Sequence, residues 1–520
     1  LSTSQRWPHG PVVLTRRAIP TLVIMIGLIA VFGIMRDLTD RGFQTPMAAL
    51  QAVRDVTASQ LPPADGGRGA AGAAVANNLL AGARPNILLV SIDALRADHV
   101  GAYGYQSGQT PTLDRLAQEG WRSDLAITPR IGSSAAHASI MTGTNPSRHG
   151  VKSDLLDTLS HDVPTLAEIM QANGYATAGL YSWFNFEPSY SGLERGFQTY
   201  EDYTINLPRY LADSQTQALA ATYRRLKSYL ALPGAADFDV SLLDPGEGKL
   251  DGKADVTAAA AAHWLERRRT DPFFLWVHFR DPHSPYSPPS SSADPDCPDC
   301  HDRALETVQR IREGAVDLSA PEINRVVGSY DEEVAFVDKQ IDVLLRELAQ
   351  LGLDQSTAVI VVGAYGQSFG DHGAWLEGTT VYNSEIHVPL LVRYPGVLAG
   401  NRVITSPSSL MDVAPTILHL TGIPAPASME GLSLVSALDS SRYADRVVIS
   451  ESPDSGSVAL ITGEWKLIRA PDGQVELYQL SADPDELLDR SESEPEIVRH
   501  LVERLDQAMV DQELTAHGGA

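Results

Sequence analysis

Two stretches of this chain carry side chains whose types and spacing could do chemistry. The first, Pro85-Asn86-Ile87-Leu88-Leu89-Val90-Ser91-Ile92-Asp93, is an apolar run that ends in a carboxylate. A run this short, opened by proline, reads as a buried strand of a parallel sheet, and open α/β sheets bind ligands at the carboxyl ends of such strands. Asp93 stands at that end. The second, Cys297-Pro298-Asp299-Cys300-His301, holds both cysteines of the chain. Cys-x-x-Cys-His is the attachment pattern of c-type haem; the competing reading is a local disulfide that tightens the proline-rich loop from Ser287 to Asp302. A Cys-x-x-Cys pair with no further ligands is weak evidence for zinc.

The elements that must position these groups are legible around them. Thr110 to Gly120 reads as a helix with Thr110 as N-cap, Pro111 in its first turn and Gly120 as its stop. Phe273 to Val277 is a second apolar strand, and Thr357 to Gly363 a third. With 520 residues and 43% hydrophobic content, the chain is long enough for one large α/β domain and a satellite. Its 65 acidic and 40 basic residues give a net charge of -25, which opposes nucleic acid and anionic membrane surfaces as partners.

Ala18 to Met35 carries no charged side chain and is about long enough to cross a bilayer. Arg6, Arg16 and Arg17 precede it, so the expected arrangement is a cytoplasmic N-terminus and a periplasmic or extracellular main domain, held by a single span. A cleaved signal peptide is the rival reading. Residues 36–84 read as a flexible linker and Pro233 to Lys253 as an insertion loop.

Ser133-Ser134-Ala135-Ala136-His137, followed by His149-Gly150-Val151, resembles the nucleophile segment of sulfatases, in the alkaline phosphatase superfamily. The strand ending at Asp93, the Thr110 to Gly120 helix, the His278 to Tyr286 loop and the strand-loop from Thr357 to Gly373 resemble further blocks of that family in the expected order. The resemblance implies an α/β alkaline-phosphatase-like sandwich: a large, mostly parallel sheet flanked by helices, then a small antiparallel subdomain. The expected organisation is a cytoplasmic segment at 1–17, a transmembrane helix at 18–35, a linker at 36–84, an α/β domain at 85–440 and an α+β subdomain at 441–520.

By the same resemblance Ser133 is the nucleophile, His137 stands at an arginine position, His283 binds substrate and His372 supports the site; Ser133 as a simple helix N-cap remains open. Asp93 is the surviving metal ligand, while Ala364 and Tyr365 occupy the places of two others. Glu377 and Asp154 fall where a lysine and an asparagine are usual. An alanine cannot ligate and a neutral phenol is a poor ligand, so the expectation is a pseudo-hydrolase that serves as a binding or structural subunit of a membrane assembly. The alternatives are an active sulfuric or phosphoric ester hydrolase using Ser133, with Ca, Mg, Mn or Zn in an altered site, and a haem-bearing subunit through Cys297, Cys300 and His301.

Overall fold

The computed structural model describes residues 84–154, 157–186, 188–203, 254–268, 272–286, 300–314, 317–437, 443 and 445–517. The expected transmembrane segment, nearly all of the linker and the insertion loop lie outside the described residues. So do Cys297 and the side chains of Cys300 and His301, the groups of the haem and disulfide readings. Among the described residues no helix is long and apolar enough to cross a membrane.

The core is one eight-stranded sheet. Its strands are β1 (Asn86–Ile92), β2 (Trp121–Ser123), β3 (Ala176–Tyr181), β4 (Thr199–Asp202), β5 (Phe273–Phe279), β6 (Thr357–Gly363), β7 (Leu390–Arg393) and β8 (Arg402–Ile404). Their spatial order is β8-β2-β7-β6-β1-β5-β3-β4, and only β7 runs against the rest. Central strands of a parallel sheet are covered on both faces, which is why β1, β5 and β6 are continuously apolar and wholly buried.

Alternation along β1 sends Ile87 and Leu89 to one face and Leu88, Val90 and Ile92 to the other. The first face packs against α2 (Ser133–Thr142) and α6 (Val413–Thr421). The second packs against α3 (Ala254–Arg268), α4 (Cys300–Arg312) and the long α5 (Ala320–Gln350). Every residue of α2 is buried, and its small side chains Ala135, Ala136 and Ala138 let it sit inside the layer. A four-stranded antiparallel sheet, β9 (Val448–Glu451) to β10 (Val458–Thr462) to β11 (Trp465–Arg469) to β12 (Val475–Gln479), follows, and α7 (Pro495–His517) covers its Leu460, Leu467 and Leu477 with Leu501 and Leu505.

One local expectation changes, and one apolar run is divided. Thr110 precedes α1 (Pro111–Glu119) but does not cap it with its side chain. Its hydroxyl bonds Asp114, and the free amides of Thr112 and Leu113 are taken instead by Asp338 of α5, at 2.9 to 3.1 Å. The run from His387 to Val392 is not one strand: Pro389 lacks an N–H and divides it, and only the second half joins the main sheet.

A buried ion pair ties the start of α6 to the turn before β9. Arg446 grips Asp412 bidentately at 2.5 and 2.6 Å, and Asp412 also accepts from the amides of Ser409 and Leu432. Removing the guanidinium leaves a fully buried carboxylate short of its partner. Arg446→Ala is expected to cost about 3–5 kcal/mol of folding stability in denaturant titration; a loss under about 1 kcal/mol would show the pair to be energetically idle.

Candidate active site

Three neighbouring strands bring their carboxyl ends together. Ser91 of β1 pairs with His278 of β5 and Val362 of β6, and Ile92 pairs with Phe279 and Gly363. The amide of Asp93 continues onto the carbonyl of Phe279 at 3.0 Å, and that of Ala364 onto Ile92 at 2.8 Å. Asp93, His278, Ala364 and Tyr365 are thereby gathered at one edge. Gly366 then turns the chain away, at a place where a Cβ would stand 2.2 Å from the carbonyl oxygen of Ser384. From the other side α2 delivers Ser133. Gly132 before it has φ 123°, a left-handed conformation open to glycine, and a Cβ there would lie 3.2 Å from Asp154 Oδ1.

Asp93 is the centre of the cluster and is fully buried. Ser133 donates its hydroxyl to Asp93 Oδ2, while His278 Nε2 lies 3.4 Å from Oδ1. Burial alone would raise the Asp93 carboxyl, but His278, His137 and the serine hydroxyl together bring it down to about 2. Ser133 is the first residue of α2, and its side chain makes no cap, so the N-cap reading does not describe it. Tyr365 places its hydroxyl 3.4 Å from Ser133 Oγ. Its phenol is pushed well above its ordinary pKa by burial and by Asp93, Glu377 and Asp154, so it stays protonated.

His137 is held from both ends. The indole N–H of Trp276 donates to Ser91 Oγ at 2.8 Å, and His137 Nε2 lies 2.8 Å from the same oxygen. His137 Nδ1 lies 2.7 Å from the carbonyl of Ser133, which can only accept. This fixes a neutral ring with the proton on Nδ1. Burial, with His278 adding, pushes its pKa down to about 3. His149 braces the same helix: Nε2 bonds Ser139 Oγ at 2.9 Å, Nδ1 accepts from the Val151 amide at 3.1 Å, and burial lowers its pKa to about 3.

The remaining groups expected at the site are spread around it. His283 Nε2 meets Glu377 Oε1 at 3.1 Å, and its Nδ1 meets the carbonyl of Ser284 at 2.6 Å. Burial would raise Glu377, but His283 holds it below the usual carboxylate range. Asp154 Oδ1 accepts the amide of Ser134 at 2.7 Å, and burial raises its carboxyl to about 6. His372 is a correction to the expected set. It is exposed, stacked at 3.6 Å on Tyr382 and bonded to the carbonyl of Asp485, so it faces the C-terminal subdomain and not Asp93.

His278 and Ser91 belong to the site and were not singled out in the sequence. The signal was a polar residue near the end of an otherwise apolar strand, since a buried polar group needs a partner. Among the described residues Asp93, His137 and His278 form a group with ligand-capable atoms within 4.8 Å of one another.

A family model described as Sulfatase matches residues 85–423, well over half of the chain. The chain belongs to the sulfatase family. A second model, the C-terminal part of N-sulphoglucosamine sulphohydrolase, matches residues 370–512. Mouse arylsulfatase K is 31% identical over 199 residues, covering 35% of this chain and 36% of the relative. The match thus spans about a third of that relative's length. An arylsulfatase of Clostridium perfringens is 26% identical over 446 residues, covering 79% of this chain and 91% of the relative. A solved structure in complex with its substrate D-glucosamine-2-N,6-O-disulfate has a TM-score of 0.64 at 19% identity over 83% of this chain and 98% of that one. This likeness confirms the sulfatase fold. The family is one of sulfuric ester hydrolases that typically bind a divalent cation.

Two buried neutral histidines, His137 within α2 and His149 bonded to it, set an acid limit on this sulfatase-family domain. Their folded pKa of about 3 lies below the unfolded value of 6.5, so the unfolded chain binds more protons and stability falls as pH drops from 6.5 towards 3. Each contributes a slope of up to about 1.4 kcal/mol per pH unit in that window. His149→Gln is expected to flatten this slope by about one histidine's share in denaturant titrations at pH 7, 6, 5 and 4; an unchanged slope would show that His149 titrates normally in the fold.

Proposed function

We propose that this sulfatase-family domain is a pseudo-hydrolase, a scaffold kept for binding and unable to run metal-assisted ester cleavage. One observation carries the reading: the end of β6 presents Ala364, which has no ligand atom, and Tyr365, whose phenol stays protonated. Ser133 donates to Asp93 Oδ2, the Ser134 amide donates to Asp154, and Glu377 Oε1 meets His283, while Asp93 Oδ1 and His278 Nε2 face each other at 3.4 Å without a hydrogen bond.

The donor set does not fit the hard cation of the family. Such an ion wants about six oxygens, yet Ala364 offers no ligand atom and Tyr365 keeps its proton. His137 cannot stand in, because its Nε2 lone pair points at Ser91 Oγ and its Nδ1 carries the proton. His278 Nδ1 faces the amide N–H of Ser182 at 3.5 Å, which places the ring proton on Nε2, the nitrogen that points at Asp93. Without a cation, Asp93 with a pKa of about 2 is too weak a base to activate a serine hydroxyl.

The second reading is sulfuric ester hydrolysis by Ser133, and family membership favours it, together with Ser133 standing at the head of a buried helix against Asp93. One assay separates the two. Purified protein is expected to hold no stoichiometric Mg, Ca, Mn or Zn and to show no turnover of aryl sulfate or aryl phosphate above a Ser133→Ala control. Serine-dependent turnover sinks the pseudo-hydrolase reading.

The proposal includes a membrane tether, supported by the uncharged run from Ala18 to Met35 behind Arg16 and Arg17. The intact chain is expected in the membrane fraction after carbonate washing, and a chain lacking residues 1–84 in the soluble fraction; equal fractionation of both argues against the tether.

A further inference from the structure

Helix N-terminal amides and histidine side chains are common seats for oxyanions, and here each is already in contact with a carboxylate of the same chain. At the head of α2 the Ser134 amide donates to Asp154 Oδ1 at 2.7 Å, and the Ser134 hydroxyl donates to the Asp154 carbonyl at 3.2 Å. Across the pocket, His283 Nε2 lies 3.1 Å from Glu377 Oε1. Both contacts flank one residue: the Tyr365 ring stands edge-on to His283 at 6.5 Å between centres, and its hydroxyl lies 3.4 Å from Oγ of Ser133, the residue before Ser134.

A second acidic residue braces the turn that carries each carboxylate. Asp157 accepts the amides of Lys152 and Ser153, both at 2.9 Å, immediately before Asp154. Glu385 accepts the amides of Gly378 at 2.7 Å and Thr379 at 3.2 Å, immediately after Glu377, and also the hydroxyls of Ser368, Thr379 and Thr380. The two braced turns come from distant parts of the chain and converge on one pocket.

We propose that Asp154 and Glu377 are built-in anions, an autoinhibitory pair that occupies the oxyanion seats at the head of α2 and on His283 and so excludes sulfate and phosphate groups. The inference rests on the pseudo-hydrolase reading and adds its cause on the substrate side. An external oxyanion must displace two carboxylates held in place by the fold and then sit beside their charges. Like charge at such separations is strongly unfavourable where water is scarce.

The test compares the purified full chain with Asp154→Asn/Glu377→Gln and Asp154→Ala/Glu377→Gln. Binding is read by calorimetry and thermal unfolding with sodium sulfate or inorganic phosphate, against sodium chloride of equal ionic strength. The Asn/Gln pair keeps the hydrogen-bond acceptors and shape, so it covers the case in which the alanine variant fails to fold. A folded double variant is expected to show a saturable, sulfate-dependent rise in Tm with half-saturation at least about tenfold below any seen for the wild type. Folded double variants that bind sulfate no more tightly than the wild type overturn the inference, as does saturable wild-type binding at low millimolar sulfate. The readout is binding alone, so Ser133-dependent turnover by the wild type would end the pseudo-hydrolase reading without deciding this comparison.

Discussion

A carboxylate removed from water has to be balanced by something, and the balance struck at Asp93 governs the rest of this pocket. Asp93 is fully buried at the mouth of the central strand. Desolvation opposes its charge, so ionisation survives only where donors or cations compensate. The serine hydroxyl and the His278 ring supply that compensation from two different elements. Because Ser133 is spent on Asp93, the head of α2 is pinned to the end of β1. The end of β5 is held to the same place by the bond from the Asp93 amide to the carbonyl of Phe279, with the His278 ring facing Asp93 Oδ1 at 3.4 Å. The site is in this sense part of the core, and its polar groups contribute to holding the strand ends together.

Much of the fold was legible because its signals are long and redundant. The runs Ile87 to Val90, Phe273 to Val277 and Ala358 to Val362 are apolar without alternation, as strands covered on both faces must be. What was not legible depends on one atom meeting another across long sequence separations. Nothing local to Thr110 says that Asp338 will take the amides of its helix, and nothing local to His283 says that Glu377 will meet it. His372 shows the opposite failure. Its place in a motif put it at the site, but the left-handed turn at φ 50° sends its ring to Tyr382. His278 was read as the first residue of the loop after Val277, whereas β5 continues through it and pairs it with Ser91.

Family membership and site chemistry separate cleanly in physical terms. The family is carried by hundreds of residues whose burial supplies the folding energy, and substitutions that conserve volume and polarity pattern leave that energy nearly intact. The chemistry of an ester hydrolase rests on few atoms. Ala364 and Tyr365 keep the end of β6 buried and packed, with Tyr365 edge-on to His283 at 6.5 Å between ring centres. They keep the backbone bond from Ala364 to Ile92 that registers β6 on β1. The strand therefore satisfies every structural demand while changing what its end can offer a ligand.

The internal pairings also differ in kind from an open site that merely binds weakly. A carboxylate tethered beside a donor competes at an effective concentration on the order of millimolar or higher, set by geometry and independent of what is in solution. Asp154 and Glu377 are more than tethered, since Asp157 and Glu385 fix the backbones on which they ride. Little entropy is left to lose when their contacts form, so the contacts persist. A free anion has to overcome that standing competition at two points at once. Under the proposed autoinhibition the pocket is shut to oxyanions by its own side chains, and a ligand it takes must bring donors or positive charge to meet the carboxylates.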